Sequence, residues 1–205
     1  WLFCGQLGLG TGARFASSLA YMLSGPALHA IYVPNFFSNL VWLPAILWAL
    51  HGLLSEARAR WAVGLAAFAS CAFLGGHVQA FVYVVQFATA YAVFGLIFVT
   101  PPGKRARVAG LSAAASLLVV GFSGPQLVPA IEMAQRAVRD FEGLSLEQAM
   151  FYPVAAGDLL SGIMGRFVAP PTFFPFFTLV LPTLTIPLIF CGVLVRERWA
   201  TWLFF

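Results

Sequence analysis

Long apolar stretches alternate with short connections, and the basic residues fall at every second connection. Stretches long enough to cross a bilayer lie at about residues 14–31, 36–54, 61–75, 77–98, 107–121 and 173–195. A helix needs ~20 apolar residues to cover the hydrocarbon core. Arg14, then Arg58 and Arg60, then Lys104, Arg105 and Arg107, then Arg196 and Arg198 put eight cations on one side of such an arrangement. Arg136, Arg139 and Arg166 are left for the other. Basic residues are retained on the cytoplasmic side of membrane proteins, so the first side is predicted to face the cytoplasm.

Composition agrees. Of 205 residues, 61% are hydrophobic and 9% charged, which excludes an ordinary soluble domain. Lipid cannot satisfy open backbone groups, and no ten-residue alternating strand pattern occurs, so the expected fold is all-α. It is a polytopic transmembrane helix bundle of about six spans, one domain over residues 1–205. Stretches 61–75 and 107–121 are short for a span, so one of them is a candidate re-entrant segment. The net charge of +4 could signal nucleic acid, but its distribution does not. The basic connections carry +6 after Glu56 and Glu197, whereas the opposite segments carry −2. That is an orientation signal, and no nucleic-acid partner is expected. Cys4, Cys71 and Cys191 lack CxxC spacing, so neither a metal site nor a disulfide framework is expected. The chain opens at Trp1, and residues 199–205 read as the start of a further span, so a piece of a longer protein is expected.

The one long connection, residues 123–172, is expected on the extracytoplasmic side. Leu127, Ile131, Ala134, Val138 and Phe141 recur at spacings of four and three, with Glu132, Gln135, Arg136 and Arg139 opposite them. This pattern predicts an amphipathic interfacial helix over about residues 125–141, lying on the outer membrane surface.

Candidate functional residues gather on the same side. Gly75-Gly76-His77 precedes Gln79, Tyr83 and Gln86, which share one helix face. Polar side chains at membrane depth cost free energy unless they face a bundle interior or a wet cavity, so this face reads as a pocket lining or as interhelical hydrogen bonding. His29 lies at another outer turn, where it reads as an ordinary interfacial histidine or as a partner of His77 across the bundle; His51 reads as structural. Glu132 and Arg136, four apart, are expected to pair, contributing ~0.3–0.5 kcal/mol. Arg139 is left less compensated and suits a lipid phosphate as well as a solvated face. No GxSxG, HExxH, Walker or GxGxxG arrangement is present.

Three segments resemble the YfhO-like bacterial membrane proteins, of the GT-C type of lipid-dependent glycosyltransferases. Tyr21 to Ser24-Gly25, followed by Trp42-Leu43-Pro44, is similar to that family's Y-x-x-S-G … W-x-P pair of helices. Gly76-His77-Val78-Gln79 resembles its Gly-His-Pro-Gln turn, with Val78 in place of proline. Gln126-Leu127-Val128-Pro129-Ala130-Ile131-Glu132, with Arg139 after it, is similar to its Gln-Leu-x-Pro-x-x-Glu … Arg stretch. The resemblance implies an enzyme of the bacterial cytoplasmic membrane with an extracytoplasmic active face. It would move a sugar from a polyprenyl-phosphate donor to a glycan or glycolipid acceptor. Such chemistry needs a carboxylate to take the acceptor proton and cationic donors to hold the leaving phosphate. The resemblance puts the general base in a first outer loop upstream of Trp1. His77, Arg136 and Arg139 are candidates to hold the phosphate, Glu132 to orient an arginine or a sugar, and Gln79 and Tyr83 to line the substrate path. No cofactor is identified, and a divalent metal is a possibility without a ligand set. Two other readings stand beside this one: a transporter or flippase, and an assembly subunit without an active site.

Overall fold

The computed structural model describes residues 1–23, Ala27 and residues 34–135, apart from the side chain of Ala134. Within them every element is helical. In chain order these are α1 (Leu2–Gln6), α2 (Thr11–Met22), α3 (Pro34–Glu56), α4 (Ala59–Leu74), α5 (Val78–Phe98) and α6 (Arg105–Gln135). A single tight turn, Pro102–Lys104, leads into α6. Among them α3, α5 and α6 are long and apolar enough to cross a membrane. The sixteen residues of α4 span roughly 24 Å and fall short of a ~30 Å hydrocarbon core.

The centre of the bundle is α3, which packs along both α4 and α5, while α6 lies against α4. Leu47, Leu50, Leu53 and Leu54 of α3 form the core with Ala62 and Ala66 of α4, Tyr91 of α5, and Val108 and Ala115 of α6. Small side chains permit the approach. Gly52 faces the Trp61 indole, and Gly95 faces Leu54, so closely that a Cβ on either would overlap its neighbour. In lipid, where apolar surface gains nothing by leaving solvent, such close packing is what holds helices together.

Helix breaks are compensated individually. Pro44 sits inside α3 and cannot donate to the carbonyl of Leu40 one turn back. The Tyr21 hydroxyl of α2 donates to that oxygen instead, at 2.6 Å. At its other end α3 closes on Ala57, which adopts a left-handed φ of 56°. That conformation is costly for a residue with a Cβ. Burial of Ala57 and its N–H bond to the Leu53 carbonyl (2.9 Å) hold it there.

All six described Lys and Arg residues lie in one half of the bundle. The Thr100 hydroxyl donates to the Leu54 carbonyl at 2.9 Å, which joins the turn after α5 to the last turn of α3. Arg105 donates to the carbonyls of Ile97 (2.9 Å) and Thr100 (3.4 Å). Arg58, Arg60, Lys104, Arg105 and Arg107 therefore share one end. Arg14 belongs to the same half: it sits against Gly5 of α1, whose Phe3 packs on His51 and Tyr91. Among the described residues the cations are thus segregated to one half.

Three expected boundaries differ. Helix α2 ends at Met22, with Leu23 as its C-cap, rather than running on to residue 31. Helix α6 does not stop near residue 121. It continues through Ser123, where the outer loop was expected to begin, and through Pro125 and Pro129 to Gln135. At 1.5 Å per residue its 31 residues measure about 46 Å, longer than a ~30 Å hydrocarbon core. Over residues 125–135 the amphipathic stretch is part of this helix. Its remainder, and the apolar stretch 173–195, lie outside the described residues.

Candidate functional site

At the end opposite the cations, α3, α4, α5 and α6 bring together a small polar group. Helix α4 closes with Gly75 and Gly76, whose N–H groups bond back to the carbonyls of Ala72 (3.2 Å) and Phe73 (3.1 Å). Gly76 has φ 87°, a backbone that favours glycine, and a Cβ there would stand 3.9 Å from the Gln126 side-chain nitrogen of α6. A Cβ on Gly75 would press on Ser38 (2.9 Å) and on the Asn39 amide (3.2 Å) of α3. The turn is thereby wedged between α3 and α6.

His77 follows as the N-cap of α5. Its Nδ1 accepts from the Ala80 N–H at 3.1 Å, and its ring stands edge-on to Phe36 at 5.3 Å. An Nδ1 that accepts a backbone N–H carries no proton, so in the neutral ring Nε2 carries it and is a donor. This arrangement leaves the Nε2–H of His77 as a donor that could hold an anionic oxygen.

Asn39 is fully buried; its amide nitrogen donates to the Asn35 carbonyl at 2.8 Å, and its Oδ1 has no protein partner. The Ser123 hydroxyl, one turn before Gln126, is likewise buried and unpaired. Buried polar atoms are nearly always satisfied, so both mark places where a water or a ligand atom would be stabilised. Neither was a candidate in the sequence reading. An asparagine one turn inside an apolar stretch was the available signal.

The remaining candidates divide. Gln79 donates to the Tyr83 hydroxyl at 2.8 Å, and both, with Gln86, occupy the exposed side of α5, away from Ala80, Val84 and Tyr91, which face the bundle. Among the described residues, therefore, this polar stripe looks outward rather than into the packed interior. Glu132 is exposed in the last turn of α6, two turns beyond Gln126. His29, Arg136 and Arg139 lie outside the described residues. Among those described, no three His, Cys, Asp or Glu side chains come together. His51 bonds through Nδ1 to the Tyr91 hydroxyl at 2.7 Å in the opposite half of the bundle.

Among the described residues, fold and site together define an all-helical bundle with membrane-length apolar helices, its Lys and Arg residues in one half and the His77 group at the opposite end. Comparison with protein-family models, curated proteins and solved structures gives no match.

Proposed function

We propose that this chain is part of a multi-pass membrane glycosyltransferase of the GT-C type, a YfhO-like protein of the bacterial cytoplasmic membrane. It transfers a sugar from a polyprenyl-phosphate donor to an extracytoplasmic glycan or glycolipid. The observation that supports this most is the position of the His77 group: it stands at the end of the bundle opposite every described cation. With the cations in the cytoplasm, that end meets the leaflet from which an extracytoplasmic enzyme draws its lipid donor. There the Nε2–H of His77 holds a non-bridging oxygen of the leaving phosphate and stabilises charge as the glycosidic bond breaks. Glu132 of α6 orients an arginine or a sugar hydroxyl. A general base belongs to this chemistry but is assigned to no residue here.

The exposed Gln79–Tyr83–Gln86 stripe favours a second reading, a transporter or flippase, because a polar face on an apolar helix suits a wet path. One experiment separates the two. The full-length protein in proteoliposomes is given polyprenyl-phosphate sugars and an acceptor glycan, and both glycosylated product and donor movement are measured. Product that disappears with His77→Ala supports transfer. Donor movement without product, in every combination tried, overturns it in favour of transport.

A further inference from the structure

The cations do more than orient the chain: we infer that the basic end is a binding surface for anionic phospholipid headgroups. The inference rests on the reading that the helices span a bilayer. Five cations converge there, Arg58, Arg60, Lys104, Arg105 and Arg107, and all are exposed. Glu56 is the one carboxylate at that end among the described residues. It is shared by Arg60 (2.7 Å) and Arg58 (3.3 Å), so one negative charge answers two positive ones. Arg105 spends its guanidinium on backbone carbonyls, and Lys104 and Arg107 make no ion pair among the described residues. The group is held as a unit, because the Thr100–Leu54 bond joins the turn after α5 to the last turn of α3, and Val108, one residue after Arg107, is buried in the same core cluster as Ala57 and Ala62.

What lies next to the charge selects the partner. Val63 (58% exposed), Ile97 (54%) and Phe98 (62%) are apolar and exposed within a turn or two of these cations. The Trp61 indole lies under the Arg60 guanidinium at 5.1 Å, the amphipathic arrangement typical of a membrane interface. A soluble polyanion would match the cations and leave this apolar border uncovered. A phospholipid matches both, with its phosphate among Lys104, Arg107 and the α4 arginines and its acyl chains along the exposed faces of α4 and α5.

The test uses the full-length protein, solubilised from membranes, reconstituted with an equal mixture of phosphatidylglycerol and phosphatidylcholine, and then stripped of loosely bound lipid before mass spectrometry. Retained phosphatidylglycerol should exceed phosphatidylcholine by about fivefold or more, the effect of roughly one headgroup-level cation. That excess should fall toward parity in the double variant Lys104→Gln/Arg107→Gln. Parity in the wild type overturns the inference. So does an excess that survives both this variant and Arg58→Gln/Arg60→Gln, since the lipid then binds elsewhere. Alkaline extraction of the starting membranes keeps the two premises apart. A chain released by alkali sinks the spanning reading and this inference with it, whereas a retained chain with lipid parity sinks only the headgroup site.

Discussion

The Tyr21 hydroxyl donates to the carbonyl oxygen of Leu40 at 2.6 Å, the oxygen that Pro44 leaves without its helical donor. An unpaired carbonyl at membrane depth costs several kcal/mol, so the proline of α3 and the tyrosine of α2 work as a couple. Tyr21→Phe should therefore destabilise the protein by about 1–3 kcal/mol, the cost of a buried acceptor left unmet. In a Pro44→Ala background the backbone N–H of residue 44 can make the bond itself, and the same Tyr21→Phe change should cost less than half as much. A double-mutant cycle of unfolding in mixed micelles measures the coupling. Equal costs in both backgrounds would mean that the two residues act independently.

Gly52 and Gly110 make a matched pair of opposite sign. A Cβ on Gly52 would overlap the Trp61 indole, a rigid ring already standing edge-on to Trp48 at 5.0 Å. Neither ring can move without disturbing the core, so Gly52→Ala is expected to cost about 1–3 kcal/mol and to alter tryptophan fluorescence. Gly110 on α6 has nothing within 4 Å of an added Cβ. Gly110→Ala should be neutral or stabilising, by up to about 1 kcal/mol, since alanine favours the helix. Thermal melts of the two variants beside the wild type are sufficient.

The sequence announced some of this architecture and concealed the rest for identifiable reasons. Stretches 36–54, 61–75 and 77–98 correspond to helices Pro34–Glu56, Ala59–Leu74 and Val78–Phe98, because apolar runs bounded by Arg and Gly leave few alternatives. The basic turns at Arg58–Arg60 and Lys104–Arg107, which the charge count put on one side, do share an end, because α4 and α5 run out and back between them. The outer connection does not begin at Ser123 because an apolar helix tolerates internal proline where neighbouring groups can satisfy the freed carbonyls. Which way the Gln79 stripe faces was not legible either. Periodicity shows that residues share a face, but contacts from α3 decide that Ala80 and Val84 turn inward. The Tyr21–Leu40 bond was beyond reach, although the two segments it joins, around Tyr21 and Trp42-Leu43-Pro44, are both among those that carry the family resemblance.

Orientation has a direct check. Gly103 lies in the exposed turn among the cations, with open space around an added side chain. After Cys4, Cys71 and Cys191 are replaced by serine, Gly103→Cys should react with a membrane-impermeant maleimide only once cells are lysed. Ser145→Cys, in the connection expected outside, should react in intact cells. The reverse pattern would place the basic end outside and move the proposed site to the cytoplasmic leaflet.

His77 allows its cap and its chemistry to be separated. The imidazole accepts the Ala80 N–H at the start of α5, a bond for which alanine has no substitute and asparagine does. His77→Ala should lower stability by about 1 kcal/mol, whereas His77→Asn should stay within a few tenths of the wild type. If the ring only caps the helix, the full-length His77→Asn protein will transfer sugar normally. If its Nε2–H holds the leaving phosphate, both variants should lose transfer by ~10²-fold or more in kcat, as when one anion-stabilising donor is removed. The asparagine variant should lose it without losing stability.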